Sequence, residues 1–128
     1  MEKSFIVDSY AWIEYFNATK KGEKVKKIIE DEKNELYTLD VCLAEIKFWA
    51  LSQGIDFERL YQIIRANSTI LECWSNDWLS AAEIKFEKRK KHRDFGLVDA
   101  IIIVKNQQLE AKIVTGDKHF KEEKTLFL

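Results

Sequence analysis

Short apolar, β-prone runs alternate with helical patterns along the whole chain, and an acidic residue stands at four of the junctions between them. That alternation leaves few architectures open. Strand–helix–strand connections lay neighbouring strands parallel, almost always with a right-handed crossover, so the strand C-termini point the same way. Ligand sites of open parallel sheets form at that carboxyl edge. Asp8 and Asp117 follow strand-like segments, and Glu45 and Asp99 fall in the first turns of the helices that come next. A parallel sheet therefore gathers all four at one edge.

The pattern predicts strands over residues 4–7, 36–39, 69–74, 112–115 and 125–128. Helices are expected over 9–16, where Trp12, Ile13 and Phe16 share a face, and over 23–32, with Val25, Ile28 and Ile29 apolar after a turn at 20–22. Asp40 reads as the N-cap of a helix over 41–53 that Gly54 ends. Further helices are expected over 57–66 and 76–91. The run 97–104 is ambiguous, because Ile101 to Val104 are β-branched and suit a strand. Its continuation through Leu109 and Ala111 favours a buried helix.

The chain of 128 residues fits one domain, 1–128, with no proline and four glycines, hence no linker signature. Its 21 basic and 22 acidic residues nearly cancel, so any nucleic-acid contact must come from a local patch. Cys42 and Cys73 make neither a disulfide framework nor a zinc spacing and are expected as buried, reduced thiols. Asp8 and Asp99 interrupt the longest apolar runs, so no segment is expected to span a membrane. A soluble, cytoplasmic domain follows as the expectation.

Each acid alone has a plain structural explanation: Asp8 as a cap, Glu45 as a solvated side chain, Asp99 as a partner of the helix dipole, Asp117 as a turn residue. Asp99, however, is flanked by Leu97, Val98, Ala100 and Ile101, where an ionised carboxylate calls for a partner. No rival chemistry competes, for the chain carries no Gly-rich phosphate loop and no Gly-x-Ser-x-Gly elbow. His92 and His119 read as surface residues and not as ligands. Clustered carboxylates repel one another, and a divalent cation offsets that repulsion. Oxygen-only donors select hard cations, so Mg²⁺ or Mn²⁺ is the expected metal, suited to in-line attack on a phosphodiester.

Four segments carry a resemblance. Ile6-Val7-Asp8-Ser9-Tyr10-Ala11-Trp12-Ile13-Glu14-Tyr15-Phe16, Leu43-Ala44-Glu45-Ile46, Val98-Asp99-Ala100-Ile101-Ile102 and Val114-Thr115-Gly116-Asp117-Lys118-His119-Phe120 resemble, in order, the motifs of PIN-domain ribonucleases. Within them the chain is similar to VapC-type toxins of toxin–antitoxin pairs. The resemblance implies an α/β/α sandwich around a parallel sheet of about five strands, and an endoribonuclease dependent on Mg²⁺ or Mn²⁺. It further implies a homodimer and an antitoxin whose C-terminal segment covers the active site. It assigns metal binding and catalysis to Asp8, Glu45, Asp99 and Asp117, with Thr115 as helper to a ligating acid or a water. One departure is Gly96, where many relatives carry serine or another small polar residue three positions before the third acid.

Two readings stand for the basic run holding Lys88, Arg89, Lys90, Lys91 and Arg93: a surface for RNA phosphates, or a solvated helix end. Trp12, Trp49, Trp74 and Trp78 are expected in core or dimer packing. Rival functions are a non-catalytic binding module of the same fold, a nuclease of housekeeping RNA maturation, and a phospho-acceptor receiver domain. The last wants paired acids after the first strand, whereas Asp8 is followed by Ser9.

Overall fold

The apolar runs pair into one sheet, seen in a computed structural model that describes residues 3–128; the first two positions of the expected domain lie outside the described residues. At its centre is β1 (Lys3–Val7), flanked by β2 (Asn34–Leu39) and β4 (Lys112–Thr115). β3 (Thr69–Leu71) and β5 (Thr125–Phe127) form the edges, giving the order β3-β2-β1-β4-β5 with every pairing parallel.

Side chains alternate across this sheet, as strand geometry requires. Phe5, Val7, Leu36 and Val114 pack with Trp12, Val25, Ile46 and Ile64. Those residues come from a layer made of α1 (Ser9–Phe16), α2 (Lys20–Glu30), α3 (Asp40–Gln53) and α4 (Phe57–Asn67). Ile6, Leu39 and Ile113 face the other way, onto Ala81, Ile101 and Ile103 of α5 (Ser75–Lys88) and α6 (Leu97–Leu109). The result is a three-layer α/β/α sandwich around a five-stranded parallel sheet, as the alternation dictates. Burying each such side chain contributes about 1.5–3 kcal/mol.

The ambiguous run is the helix α6. Ala100 to Val104 are all buried, so burial on most sides overrides the strand preference of the β-branched residues. Residues 20–22 are helical and not a turn, because Thr19 caps α2 by accepting the Gly22 N–H at 3.0 Å. Gly22 is needed there for closeness: a Cβ would lie 2.2 Å from the Glu14 carbonyl oxygen, so α1 and α2 touch through backbone.

Asp40 lies inside the first turn of α3 and does not cap it; Leu39 is the N-cap. The Asp40 carboxylate instead accepts the Cys73 N–H at 3.2 Å, which takes that donor out of the ladder. The expected strand over 69–74 accordingly stops at Leu71. α5 ends at Lys88, three residues short of the expected boundary, and the N–H groups of Lys90 and Lys91 turn back to the carbonyls of Glu87 and Lys88. Gly54 ends α3 with φ of 70°, as expected.

Trp12 is fully buried and donates Nε1–H to Thr38 Oγ1 at 3.0 Å, while Trp49 and Trp78 are half-buried against the core. Trp74 departs from core packing, being 66% exposed at the start of α5. Cys42 is buried and Cys73 half-buried, both as free thiols. No helix among the described residues is long and apolar enough to cross a membrane.

Candidate active site

The register of the central strands assembles the site. Val7 sits opposite Val114, so Asp8 and Thr115 both emerge one residue later at the carboxyl edge. Asp8 caps α1, its Oδ1 accepting the Ala11 N–H at 2.9 Å, and its own N–H donates to Val114 O at 3.3 Å. It is only 3% exposed. Burial pushes its carboxyl up from 3.8 to about 7, against the pull of hydrogen bonds from Thr115 and Ala11; the negative charges of Asp117 and Glu45 add to the rise.

Thr115 is the pivot between two of the acids. Its hydroxyl accepts the Asp117 N–H at 2.9 Å and lies near enough to Asp8 to draw its pKa down. Asp117 in turn caps the 3₁₀ helix Lys118–Phe120, accepting the His119 N–H at 2.9 Å. Gly116 between them permits the close approach of the Tyr10 ring: a Cβ there would lie 2.3 Å from Cε1 of Tyr10.

Glu45, in the second turn of α3, accepts the Ser9 O–H at 2.8 Å. Burial raises its carboxyl above the usual range despite that bond, and the charges of Asp99 and Asp117 push the same way. Asp99 is the third residue of α6, and its Oδ2 accepts the Gly96 N–H at 2.9 Å. Burial raises its carboxyl too, opposed by that N–H and by His119, and reinforced by Asp117. Asp117 adds to the rise of Asp8, Glu45 and Asp99 alike, and it lies with Asp99 and His119 at this edge of the sheet. Among the described residues no lysine or arginine forms an ion pair with any of the four acids.

His119 corrects the expectation of a surface residue. Its side chain is 12% exposed, with Nδ1 at 3.0 Å from Asp99 Oδ2 and 3.5 Å from Asp117 Oδ1, and Nε2 at 3.1 Å from Asp94 Oδ1. Burial alone would lower its pKa, but contact with Asp94 and the charges of Asp117 and Asp99 outweigh burial and raise it. Asp99, Asp117 and His119 offer ligand atoms all within 4.8 Å of one another. The position of His119, two residues beyond the fourth acid in a turn beside α6, was the overlooked signal. Gly96 caps nothing with a side chain, yet its N–H holds Asp99, so the backbone supplies the bond its missing hydroxyl would have supplemented. Cys42 lies buried beneath the acids, its thiol pushed well up by burial and then by Asp8 and Glu45.

The basic run is dispersed. Lys88 is held by Glu123 at 2.8 Å and Glu122 at 3.2 Å, Lys90 by Glu87 at 3.1 Å, and Arg89 donates Nε–H to Phe95 O at 2.8 Å. Lys91 and Arg93 are exposed and point into a cleft with Lys118 and Lys121.

No curated protein is similar in sequence. In structure the chain is similar to VapC20 of Mycobacterium tuberculosis, a sarcin–ricin loop cleaving toxin, at 13% identity, with 97% of this chain and 98% of that one covered and a TM-score of 0.76. It is also similar to VapBC2 of Rickettsia felis bound to a promoter DNA fragment, at 15% identity, covering 98% and 96%, TM-score 0.71. FitAcB of Neisseria gonorrhoeae is similar at 20% identity, covering 97% and 96%, TM-score 0.68. These likenesses show the fold. The PIN domain family model matches residues 5–124, which takes in β1 with Asp8, the helices with Glu45 and Asp99, and the turn with Asp117; the chain belongs to the PIN-domain family.

Proposed function

We propose that this chain is a divalent-metal-dependent endoribonuclease, the toxin of a toxin–antitoxin pair acting in the cytoplasm. The observation that carries the reading is the closeness of Asp99, Asp117 and His119 at the sheet edge from which Asp8 also emerges, with none of Asp8, Glu45, Asp99 and Asp117 paired to a lysine or arginine among the described residues. Such a set is an oxygen-donor cradle with an unbalanced charge, and it fits Mg²⁺ or Mn²⁺. Asp8, Asp99 and Asp117, with Glu45, would hold the cation. When bound, the metal supplies a polarised water and charge stabilisation at the phosphate.

The chain's own groups do the positioning. Thr115 fixes the backbone of Asp117, the Ala11 N–H holds Asp8, and the Gly96 N–H holds Asp99. Glu45, whose carboxyl is raised by burial and bonded to the Ser9 O–H, would accept the proton of the attacking water. The toxin reading is supported by neighbours of the same fold that are toxins or toxin–antitoxin complexes. Apolar side chains left uncovered on α3 (Phe48 and Leu51) and α5 (Leu79 and Phe86) suit protein partners, a second copy of the chain and an antitoxin.

The test is cleavage of mixed RNA with Mg²⁺, Mn²⁺ or chelator, by the wild type and by Asp99→Asn. Metal-dependent cleavage that the variant loses supports the reading; equal cleavage in chelator, or by the variant, refutes it. Growth arrest on expression, relieved by the product of an adjacent reading frame, tests the toxin role.

A further inference from the structure

A cleft of about 520 Å³ opens beside the acidic centre, between the segment after α5 and the 3₁₀ helix. Its volume lies within the roughly 300–1,000 Å³ of small-ligand sites. Lys91 and Arg93 line one wall, and Lys118 and Lys121 the other. All four are exposed, and among the described residues none forms an ion pair. Two carboxylates, Asp94 and Glu122, share the cleft, but Asp94 is turned to His119 and Glu122 to Lys88. Lys121 Nζ sits 5.1 Å above the Phe127 ring.

One imidazole separates this cleft from the acids. His119 presents Nδ1 to Asp99 and Asp117 and Nε2 to Asp94 at the cleft wall. A strand whose scissile phosphate lies over the carboxylates therefore meets the four cations with its next phosphates. We infer that this cleft, formed by Lys91, Arg93, Lys118 and Lys121, binds the backbone of single-stranded RNA on one side of the cleaved bond. The site deepens the nuclease reading and rests on it. It also relocates the positive surface expected from sequence, since Lys88, Arg89 and Lys90 are engaged within the protein and two of the four cleft cations come from the chain's end.

An acidic protein segment is the competing occupant. RNA fits better, because the cleft adjoins the acidic centre through His119, so phosphates that continue from a scissile one reach its four cations. The electrostatic part of the contact has a quantitative signature. Each phosphate neutralised on a single strand contributes about −0.7 to the slope of log affinity against log salt.

The experiment compares the full-length wild type, a variant with Lys91, Arg93, Lys118 and Lys121 all changed to Gln, and a charge-matched control with Lys20, Lys24, Lys26 and Lys27 changed to Gln on α2. Binding of a labelled 12-nucleotide single-stranded RNA is measured by anisotropy against salt, with melting curves to check folding. Cleavage of a dinucleotide and of the 12-mer is followed with Mg²⁺. The cleft variant should lose about 1.5–3 from the salt slope, raise KM for the 12-mer with kcat held, and cleave the dinucleotide as the wild type does. The control should match wild type throughout. An unchanged slope and KM in the folded cleft variant overturns the proposal. Absence of cleavage by the wild type would instead strike the nuclease reading, and the salt slope still decides whether the cleft takes RNA.

Discussion

Nδ1 of His119 lies 3.0 Å from Oδ2 of Asp99, so the third acid of the site has a titratable partner carried by the turn that holds the fourth. Asp99 accepts the Gly96 N–H at 2.9 Å and lies beside that imidazole, whose two buried nitrogens make no hydrogen bond among the described residues. The contact places a switchable positive charge among groups proposed to hold a cation, and it gives the site a pH dependence of its own.

That dependence has a definite sign. The folded-state pKa of His119 is raised above 6.5, so its stabilising contribution is complete below 6.5 and is lost as pH rises through the folded value. His119→Ala should therefore melt about 3–6 °C below wild type at pH 6 in chelator, and the gap should shrink by pH 9. Melting curves across pH check this. A gap that is constant with pH would show that His119 acts through packing alone.

Asp8 behaves in the opposite sense. Its carboxyl rises from 3.8 in the unfolded chain to about 7 in the fold, so the folded form binds the extra proton between those values. Stability is then unimpaired below pH 3.8 and falls as pH climbs towards 7, by an amount on the order of 4 kcal/mol. Asp8→Asn still offers an oxygen to the Ala11 N–H and removes this penalty. In chelator the variant should melt above wild type at pH 7.5, with the difference closing towards pH 4. Mg²⁺ should raise the wild type and leave the variant unmoved. A variant that melts lower at both pH values would mark Asp8 as a purely structural acid.

Gly116 gives a steric prediction. A Cβ at that position would lie 2.3 Å from Cε1 of Tyr10, whose hydroxyl accepts from Lys21 at 2.8 Å. Gly116→Ala should cost about 1–3 kcal/mol in urea unfolding and lower RNA cleavage, because Thr115 and Asp117 flank the displaced residue. Adding Tyr10→Ser should recover much of both losses, a coupling that a double-mutant cycle measures. Purely additive losses would show that the ring is not the obstacle.

Away from the site, Asp77 joins α5 to α6. Its carboxylate takes Lys105 at 2.8 Å, the Trp74 N–H at 2.9 Å and Gln108 Nε2 at 2.9 Å, and its pKa is lowered from 3.8 to about 2, first by Lys105. This stabilisation is present above pH 3.8 and lost as pH falls through 2. Lys105→Met leaves the carboxylate without its cation and should cost about 1–3 kcal/mol at pH 7, with a smaller deficit at pH 2. Denaturant unfolding at the two pH values checks the difference.

Periodicity and junction chemistry determined much of this protein before any coordinates. The alternation of 2-residue and 3.6-residue repeats set the strands, their parallel pairing and the three layers, because those periods reflect which faces are buried. The same logic put Asp8 and Asp117 at strand ends and Glu45 and Asp99 in the following helices. Boundaries that hinge on one long-range bond were not legible. β3 ends early because the Asp40 carboxylate takes the Cys73 N–H, 33 residues away in sequence. Residues 20–22 are helical because Gly22 lets α2 meet the α1 backbone, a contact that no local pattern announces.

Only the tertiary structure decided the surroundings of the acids. His119 in isolation is a polar turn residue; packing against α6 turns it towards Asp99 and Asp94. Lys88 belongs to a basic run by sequence, yet Glu122 and Glu123, more than thirty residues on, hold it. Lys118 and Lys121 join Lys91 and Arg93 across one cleft for the same reason. Local sequence governs backbone torsion and burial, which are short-range. The pairing of charges depends on distances of a few ångströms between segments remote in the chain, and the fold alone sets those.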